Sequence, residues 1–289
     1  MHGKPWPRGC HSWLRYLTGM RNDVTRSGAL RTHRGTIRIL ATLLGVATVG
    51  LVHAQDDGPA VVPYRPSVAT PADLPAPGWP ELEAGVQWAK GGDTARSFSA
   101  PVTFKLAWSE RWGVVIGTDA YDWQRNDDGS TAHSIGDTSV NLKFKLPIND
   151  TLALGLQGGP TLPTASSAVG SGKTDWGINA IASLDYPAIH VDLNAAAVRL
   201  GSVDEGQGRT QGVWAVAASH PLNDRFGVTG EVSGVVQRGA SPQAQGLAAL
   251  SYNVSRALVL DIAVAAGLTH GAPDWQILTG MTVRLGHWF

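Results

Sequence analysis

Hydrophobic and polar residues alternate with a period of two through most of the chain from residue 81 onward. The two alternating sets in the last stretch are Trp275, Ile277, Thr279, Met281, Val283, Leu285, His287, Phe289 and Gln276, Leu278, Gly280, Thr282, Arg284, Gly286, Trp288. The first set is mostly apolar, and the second is mostly small or polar. Because a β-strand points successive side chains to opposite faces, the pattern predicts strands with one apolar and one polar face.

The same alternation predicts about twelve strands, with ten and fourteen left open because the pattern is faint between 211 and 253. The segments are 81–88, 97–108, from 112, 139–146, from 152, 176–186, 189–193, 211–220, 226–237, 244–253, 258–268 and 275–289. Longer connections are expected near 91–96, 124–134, 160–174, 201–210, 238–243 and 270–274. Tight ones are expected near 109–111, 147–150, 187, 221–225 and 254–257. Long loops at one end and short turns at the other are typical of outer-membrane barrels.

Alternation alone does not decide whether the apolar face lines a soluble barrel or faces lipid. Charged residues make up 16% of the chain, below the roughly 25% of soluble domains. Aromatic residues of the apolar face also cluster at strand ends, where rings meet lipid headgroups. The predicted interface residues are Trp88, Trp108, Trp112, Trp176, Trp275 and Phe289. These features favour an all-β, transmembrane, antiparallel up-and-down barrel. An open edge in lipid would leave amides unpaired, so the last strand is expected to pair with the strand beginning at Glu81.

The N-terminal region predicts export. Residues 39–52 are apolar, follow Arg31, Arg34 and Arg38, and precede Val52-His53-Ala54. This arrangement is typical of a cleaved signal peptide, with cleavage expected after Ala54. Translation could start at Met1 or Met20. We therefore divide the chain into 1–54 (extension and signal peptide), 55–80 and a barrel over 81–289.

Residues 55–80 contain seven prolines and little periodicity. Such a segment neither continues a helix nor pairs within a sheet. Two interpretations stay open, an extended or disordered periplasmic leader and a plug in the barrel mouth.

Composition excludes several classes of site. Eight of the 23 basic residues and one of the 23 acidic residues lie in 1–54, so residues 55–289 keep 15 against 22 and a net charge of −7. An acidic chain is a poor nucleic-acid partner. Cys10 is the only cysteine, which leaves no thiolate for metal binding or catalysis after cleavage. We expect no cofactor, no metal site and no catalytic residues, because no serine, histidine and aspartate are gathered into a triad.

The polar face carries the candidate site. Its charged residues are Glu83, Lys105, Lys143, Lys145, Asp185, Asp192, Glu231, Asp261 and Arg284. They are expected to form either a charged constriction that selects solutes or a salt-bridge network that fills the lumen. With 270–274 as a hairpin, Asp261 and Arg284 are expected to lie opposite each other. His190 and Asp192 share a face and are expected to form a luminal hydrogen-bonded pair.

Residues 80–289 resemble the outer-membrane transporter family named for the meta-pathway of phenol degradation. The resemblance rests on Ile135-Gly136-Asp137 opening a strand to Leu146-Pro147, on Leu162-Pro163-Thr164 followed by Gly170-Ser171-Gly172, and on the strand ending at Phe289. It implies a barrel that passes small, aromatic or hydrophobic compounds, and it supplies no catalytic residues.

The expected function is therefore a passive outer-membrane channel for small solutes. Its expected partners are outer-membrane lipid, the solute, and the barrel assembly machinery, which would bind the C-terminal strand. A closed structural or surface-interaction barrel with binding loops is the alternative, and a membrane-embedded hydrolase is a more distant one.

Overall fold

The computed structural model describes residues 58–166 and 169–289, and the predicted signal peptide lies outside them. In these residues thirteen β-strands follow one another along the chain. They are β1 (Glu81–Gly91), β2 (Thr94–Ala107), β3 (Trp112–Arg125), β4 (Thr131–Ser134), β5 (Thr138–Pro147), β6 (Leu152–Leu162), β7 (Asp175–Asp185), β8 (His190–Arg199), β9 (Thr210–Pro221), β10 (Phe226–Gln237), β11 (Gln243–Ser255), β12 (Leu258–Gly267) and β13 (Trp275–Arg284). None of the described residues forms a helix long and apolar enough to cross a membrane.

The strands close into one antiparallel barrel. Each strand pairs with its neighbours in sequence, except that β5 pairs with β3 and not with β4, and β1 pairs with β13 from Glu81↔Arg284 to Lys90↔Trp275. The predicted closing pair is therefore confirmed. Both β4 and β5 pair with β3, at successive heights, so together they fill one strand position. The barrel thus has twelve strand positions, as the alternation predicts.

The alternation of side chains also determines which residues line the lumen and which lie on the outer surface of the barrel. On β12, Leu260, Ile262 and Val264 point outward and are exposed, whereas Asp261 and Ala263 between them are buried inside. The inner wall is not uniformly polar. Two apolar patches line it. One surrounds Val213, Ala215 and Val235 in strands where the sequence pattern is faint, and the other joins Leu247 of β11 to Leu278 of β13.

Connection lengths alternate in most places as predicted. The turn end of the barrel carries 108–111, 148–151, 186–189, 222–225 and 256–257, and the loop end carries the rest. Two expectations for the loop end are wrong. The connection near 91–96 is a tight turn, in which Gly91 and Gly92 both have positive φ. The stretch 124–134 is partly a hairpin, because β3 continues to Arg125 and pairs with β4.

The last strand is shorter than predicted. Strand β13 ends at Arg284, and residues 285–289 make only single backbone contacts, from Leu285 N to Pro80 O (2.8 Å) and from Trp288 N to Gly78 O (2.8 Å). The facing segment contains Pro77 and Pro80, which have no N–H to donate, so the ladder cannot continue.

Candidate functional site

The inside of the barrel is occupied by residues 58–79, which we call the luminal segment. The segment contacts the inner wall in turn at β1, β12, β10, β8, β7 and β5 before it returns to β1. Its contacts along this path are Tyr64 with Glu83, Arg65 with Asp261, Ala69 with Glu231, Thr70 with Asn194, Ala72 with Ser183 and Asp73 with Lys145. The segment therefore makes almost a full circuit of the wall.

The first charged group of the site lies where the start of the luminal segment contacts the inner faces of β1 and β2. Lys105 is fully buried, with Nζ 2.9 Å from Glu81 Oε2 and 2.7 Å from Glu83 Oε1. The ammonium also donates to the carbonyl of Val62. Two carboxylates and a carbonyl thus compensate a charge that would otherwise be costly to bury.

Tyr64 sits between two lysines of the wall. Its ring centroid is 4.1 Å from Lys105 Nζ and 3.9 Å from Lys143 Nζ, which is close enough for cation–π attraction on both. The Tyr64 hydroxyl donates to the carbonyl of Asp73 (2.7 Å), which ties the two arms of the luminal segment together. Lys143, also fully buried, donates to the carbonyl of Pro71 (2.6 Å).

Arg65 supplies the partner of Asp261. Its guanidinium lies 3.3 Å from the Asp261 carboxylate, and both side chains are buried. To reach Asp261 the guanidinium lies flat over Gly85 and Gly280, which pair with each other across the closing seam. A Cβ at Gly280 would come within 2.7 Å of Arg65 Cζ, so a larger residue there would exclude the arginine.

The expected pairing of Asp261 with Arg284 is wrong. Strand β12 ends at Gly267 and β13 starts at Trp275, and the resulting register places Asp261 opposite Gly280 instead. Arg284 lies opposite Glu81, donates to the carbonyl of Pro59, and stacks 4.8 Å from the Trp79 ring centroid.

The remaining candidates lie on β5 and β7 to β10. Lys145 pairs with Asp73 in a partly exposed ion pair, and Glu231 accepts from Ala69 N at 2.8 Å. His190 Nε2 lies 3.0 Å from Asp192, which confirms the luminal pair. Asp185 also reaches His190, at 2.6 Å, but its side chain is exposed at the turn end. The structure thus brings eight of the nine predicted charges against the luminal segment or its immediate supports and leaves Asp185 at the rim.

Several residues of this site escape prediction from the sequence. Glu81 shares the inner face of β1 with Glu83, so the alternation could have identified it. Tyr64 and Arg65 could not be found this way, because a proline-rich segment has no period that assigns its side chains to a face. Their partners in the wall are visible in the sequence, but the pairing depends on the path of the segment.

A cavity of about 780 Å³ remains beside the luminal segment toward the turn end. It lies between the segment and strands β8 to β12. Its polar lining includes His190, Ser219, His220, Arg225, Asn253 and Arg256. A smaller space of about 60 Å³ lies on the opposite side, between Tyr64 and the wall at Asn141 and Gln157. The segment therefore fills part of the lumen and leaves a vestibule at the turn end.

The predicted interface aromatics all lie exposed on the outside of the barrel or at its end. Trp88, Trp176 and Trp275 lie near the loop end, and Trp108 and Trp112 flank the turn 108–111. Phe289, also exposed, lies beyond the end of β13. The exposed rings therefore lie near both ends of the barrel, with exposed aliphatic residues such as Ile262 and Val264 between the ends.

Comparison with known proteins supports the fold. No protein-family model matches the chain, and no curated protein matches it either. Among solved structures, an outer-membrane channel from Pseudomonas putida F1 is similar, with 10% identity and a TM-score of 0.59 over 74% of this chain and 98% of that one. The NanC porin (11% identity, TM-score 0.51, 71% and 100% coverage) and the KdgM porin (10%, 0.51, 71% and 99%) are also similar. The chain therefore has the fold of outer-membrane channel barrels.

Proposed function

We propose that the chain is a passive outer-membrane channel for small solutes and that the luminal segment is its gate. The observation that carries the proposal is a closed barrel with an apolar exterior and a lumen lined by charged and amide side chains. Strands of 10 to 14 residues, such as β12 and β3, are long enough to cross a bilayer as a barrel. With the turn end in the periplasm, the luminal segment enters from the periplasmic side.

The nature of the solute follows from the wall. The charged residues Lys105, Lys143, Glu83 and Asp261 favour a polar path, whereas the apolar patches around Val213 and Leu247 provide contacts for hydrocarbon parts. We infer that the channel passes small solutes with both polar and apolar groups, including aromatic compounds. This choice is consistent with the resemblance to the transporter family named for phenol degradation.

Export and assembly belong to the same proposal. A signal peptide cleaved after Ala54 would deliver the chain to the periplasm with residues 55–57 ahead of the luminal segment. The barrel assembly machinery would then bind the C-terminal residues that end at Phe289.

Planar-bilayer conductance tests the channel. We expect small, intermittent currents from the mature chain and larger, steadier currents from a variant that lacks residues 58–79. A barrel that folds in both forms and conducts in neither would contradict the proposal.

One observation favours a closed structural barrel as a second candidate. The luminal segment is held by the buried ion pair of Arg65 with Asp261 and by many hydrogen bonds, which would suit a permanent filling. That function predicts no conductance in the mature chain and a large loss of barrel stability when the segment is removed.

A further inference from the structure

The wall holds the luminal segment mainly through the segment's own main chain. Five backbone N–H groups donate to wall side chains: Val62 to Glu81 (3.0 Å), Tyr64 to Glu83 (2.7 Å), Ala69 to Glu231 (2.8 Å), Thr70 to Asn194 (3.2 Å) and Ala72 to Ser183 (2.7 Å). The acceptors come from four strands, β1, β7, β8 and β10. The wall therefore presents acceptors along most of the path of the segment.

The carbonyl groups of the segment are met in the same way. Lys105 donates to Val62 O, Lys143 to Pro71 O (2.6 Å), Asn194 to Thr70 O (2.9 Å) and Arg284 to Pro59 O. Asn194 thus accepts from the amide of Thr70 and donates to its carbonyl, as a neighbouring strand would. Charged side chains of the wall therefore bind peptide groups, and Lys105, Glu81 and Glu83 do so in addition to pairing with one another.

The shape of the wall matches the same occupant. Gly155 lies against Ala72, where a Cβ would sit 3.2 Å from Ala72 Cα. Gly113 lies against Leu74, where a Cβ would sit 2.9 Å from Leu74 Cδ2. With Gly85 and Gly280 beneath Arg65, the wall lacks side chains at several places where the segment comes closest.

We propose that the inner wall is a recognition site for a proline-rich peptide that follows this curved path, with the luminal segment as its built-in occupant. This inference rests on the proposed function only in taking the lumen as the site. Prolines fix the φ angle of their own residue, so the unbound peptide has less backbone freedom to lose and the entropic cost of binding is lower. A peptide with the sequence of residues 58–79, supplied in trans, therefore binds and closes a barrel that lacks its own segment.

The test uses the mature chain without residues 58–79 and a synthetic, labelled 58–79 peptide. The strand ladder runs from Glu81 to Arg284 without the segment, and gel mobility of unheated samples checks that the variant folds. We expect saturable binding by fluorescence anisotropy and loss of conductance on addition of the peptide. A scrambled peptide of the same composition serves as the control, and equal binding of the two peptides would overturn the proposal.

Wall variants separate recognition of the main chain from non-specific adsorption. Glu231→Leu removes the acceptor for Ala69 N, whereas Glu231→Gln keeps an oxygen in place. Hydrogen bonds to charged groups carry free energies that correspond to about tenfold or more in affinity. We expect Glu231→Leu to weaken peptide binding by about that factor and Glu231→Gln to restore most of it. Equal affinity of the two variants would contradict the assignment.

If the deletion variant does not fold, a measurement on the full chain still tests the proposal. Amide hydrogen exchange should show Tyr64, Ala69 and Ala72 protected by roughly a hundredfold or more relative to an unfolded peptide, and free exchange at these amides would overturn the inference. The proposal is also separable from the channel function. Peptide binding without any conductance would support the recognition site and contradict the channel function. Conductance that the peptide does not affect would contradict the recognition site alone.

Discussion

Gly155 lies against Ala72, so a side chain as large as leucine at this position should expel the luminal segment. We expect Gly155→Leu to increase the reaction of a cysteine at position 72 with a membrane-impermeant maleimide by about tenfold, because a clash of one side chain costs roughly 1–3 kcal/mol. The experiment uses a Cys10→Ser background, which leaves that cysteine as the only thiol.

Gly230 provides the matched control for this substitution. It also lies within a strand, but a Cβ there would have no atom within 4 Å. Gly230→Leu should leave the labelling rate of position 72 unchanged. Equal labelling rates for Gly155→Leu and the parent chain would show that the luminal segment does not lie against Gly155.

Two lysines on the same face of β5 offer a second comparison of single residues. Lys143 is fully buried and donates to the carbonyl of Pro71 at 2.6 Å, whereas Lys145 forms a partly exposed ion pair with Asp73. A hydrogen bond from a charged group contributes roughly 1.5–3 kcal/mol, and an exposed pair roughly 0–1 kcal/mol. Lys143→Met should therefore speed maleimide labelling at position 72 by about tenfold, and Lys145→Met by much less. The reverse order would contradict the assigned contacts.

The sequence identifies the wall residues of the site but not their partners. Glu83, Lys105, Lys143 and Asp192 fall on the inner face because period two assigns them to it. Arg65 has no such assignment, so its pairing with Asp261 could not be predicted. The sequence does not explain the wall glycines either, since only the path of the luminal segment shows why Gly155 lacks a side chain.

At the scale of strands, alternation predicts most of the fold because each face has its own solvent. Its errors lie at strand ends, where the local pattern no longer determines the pairing. The register of β12 with β13 depends on where the connecting loop begins. The observed loop places Asp261 opposite Gly280 and not opposite Arg284. Strand β13 ends at Arg284 because prolines opposite residues 285–289 cannot donate.

The C-terminal residues beyond β13 offer a test of assembly. Phe289 is exposed and is not part of the strand ladder, so its removal should leave the stability of the folded barrel within about 0.5 kcal/mol of the parent. We expect deletion of Phe289 to lower the amount of barrel in the outer membrane of cells while refolding in detergent stays unchanged. If the amount of barrel in cells and refolding in detergent both fall, Phe289 has a structural role. If neither falls, the proposed recognition of this end by the assembly machinery is contradicted.

For the whole molecule, the exterior and the lumen lead to different requirements. An exterior of exposed leucine, isoleucine and valine with tryptophans near both ends requires a bilayer or detergent. The lumen requires an occupant, because Asp261 and Lys143 find their partners on the luminal segment, at Arg65 and the Pro71 carbonyl, and would otherwise be poorly compensated. The luminal segment meets the second requirement, and its removal would let water do so instead. The proposed channel, closed by the luminal segment, satisfies both requirements.

The most direct test of this account locks the luminal segment in place. A Cβ at Gly155 would lie 3.3 Å from Ala72 Cβ, close to the roughly 3.5–4.5 Å of disulfides, so Ala72→Cys with Gly155→Cys in the Cys10→Ser background should form a disulfide on oxidation. We predict that the oxidised channel is silent in a planar bilayer and that adding a reductant restores current, whereas the single variant Ala72→Cys responds to neither treatment. Equal conductance in the oxidised and reduced states, with the disulfide verified by mass spectrometry, would contradict the account.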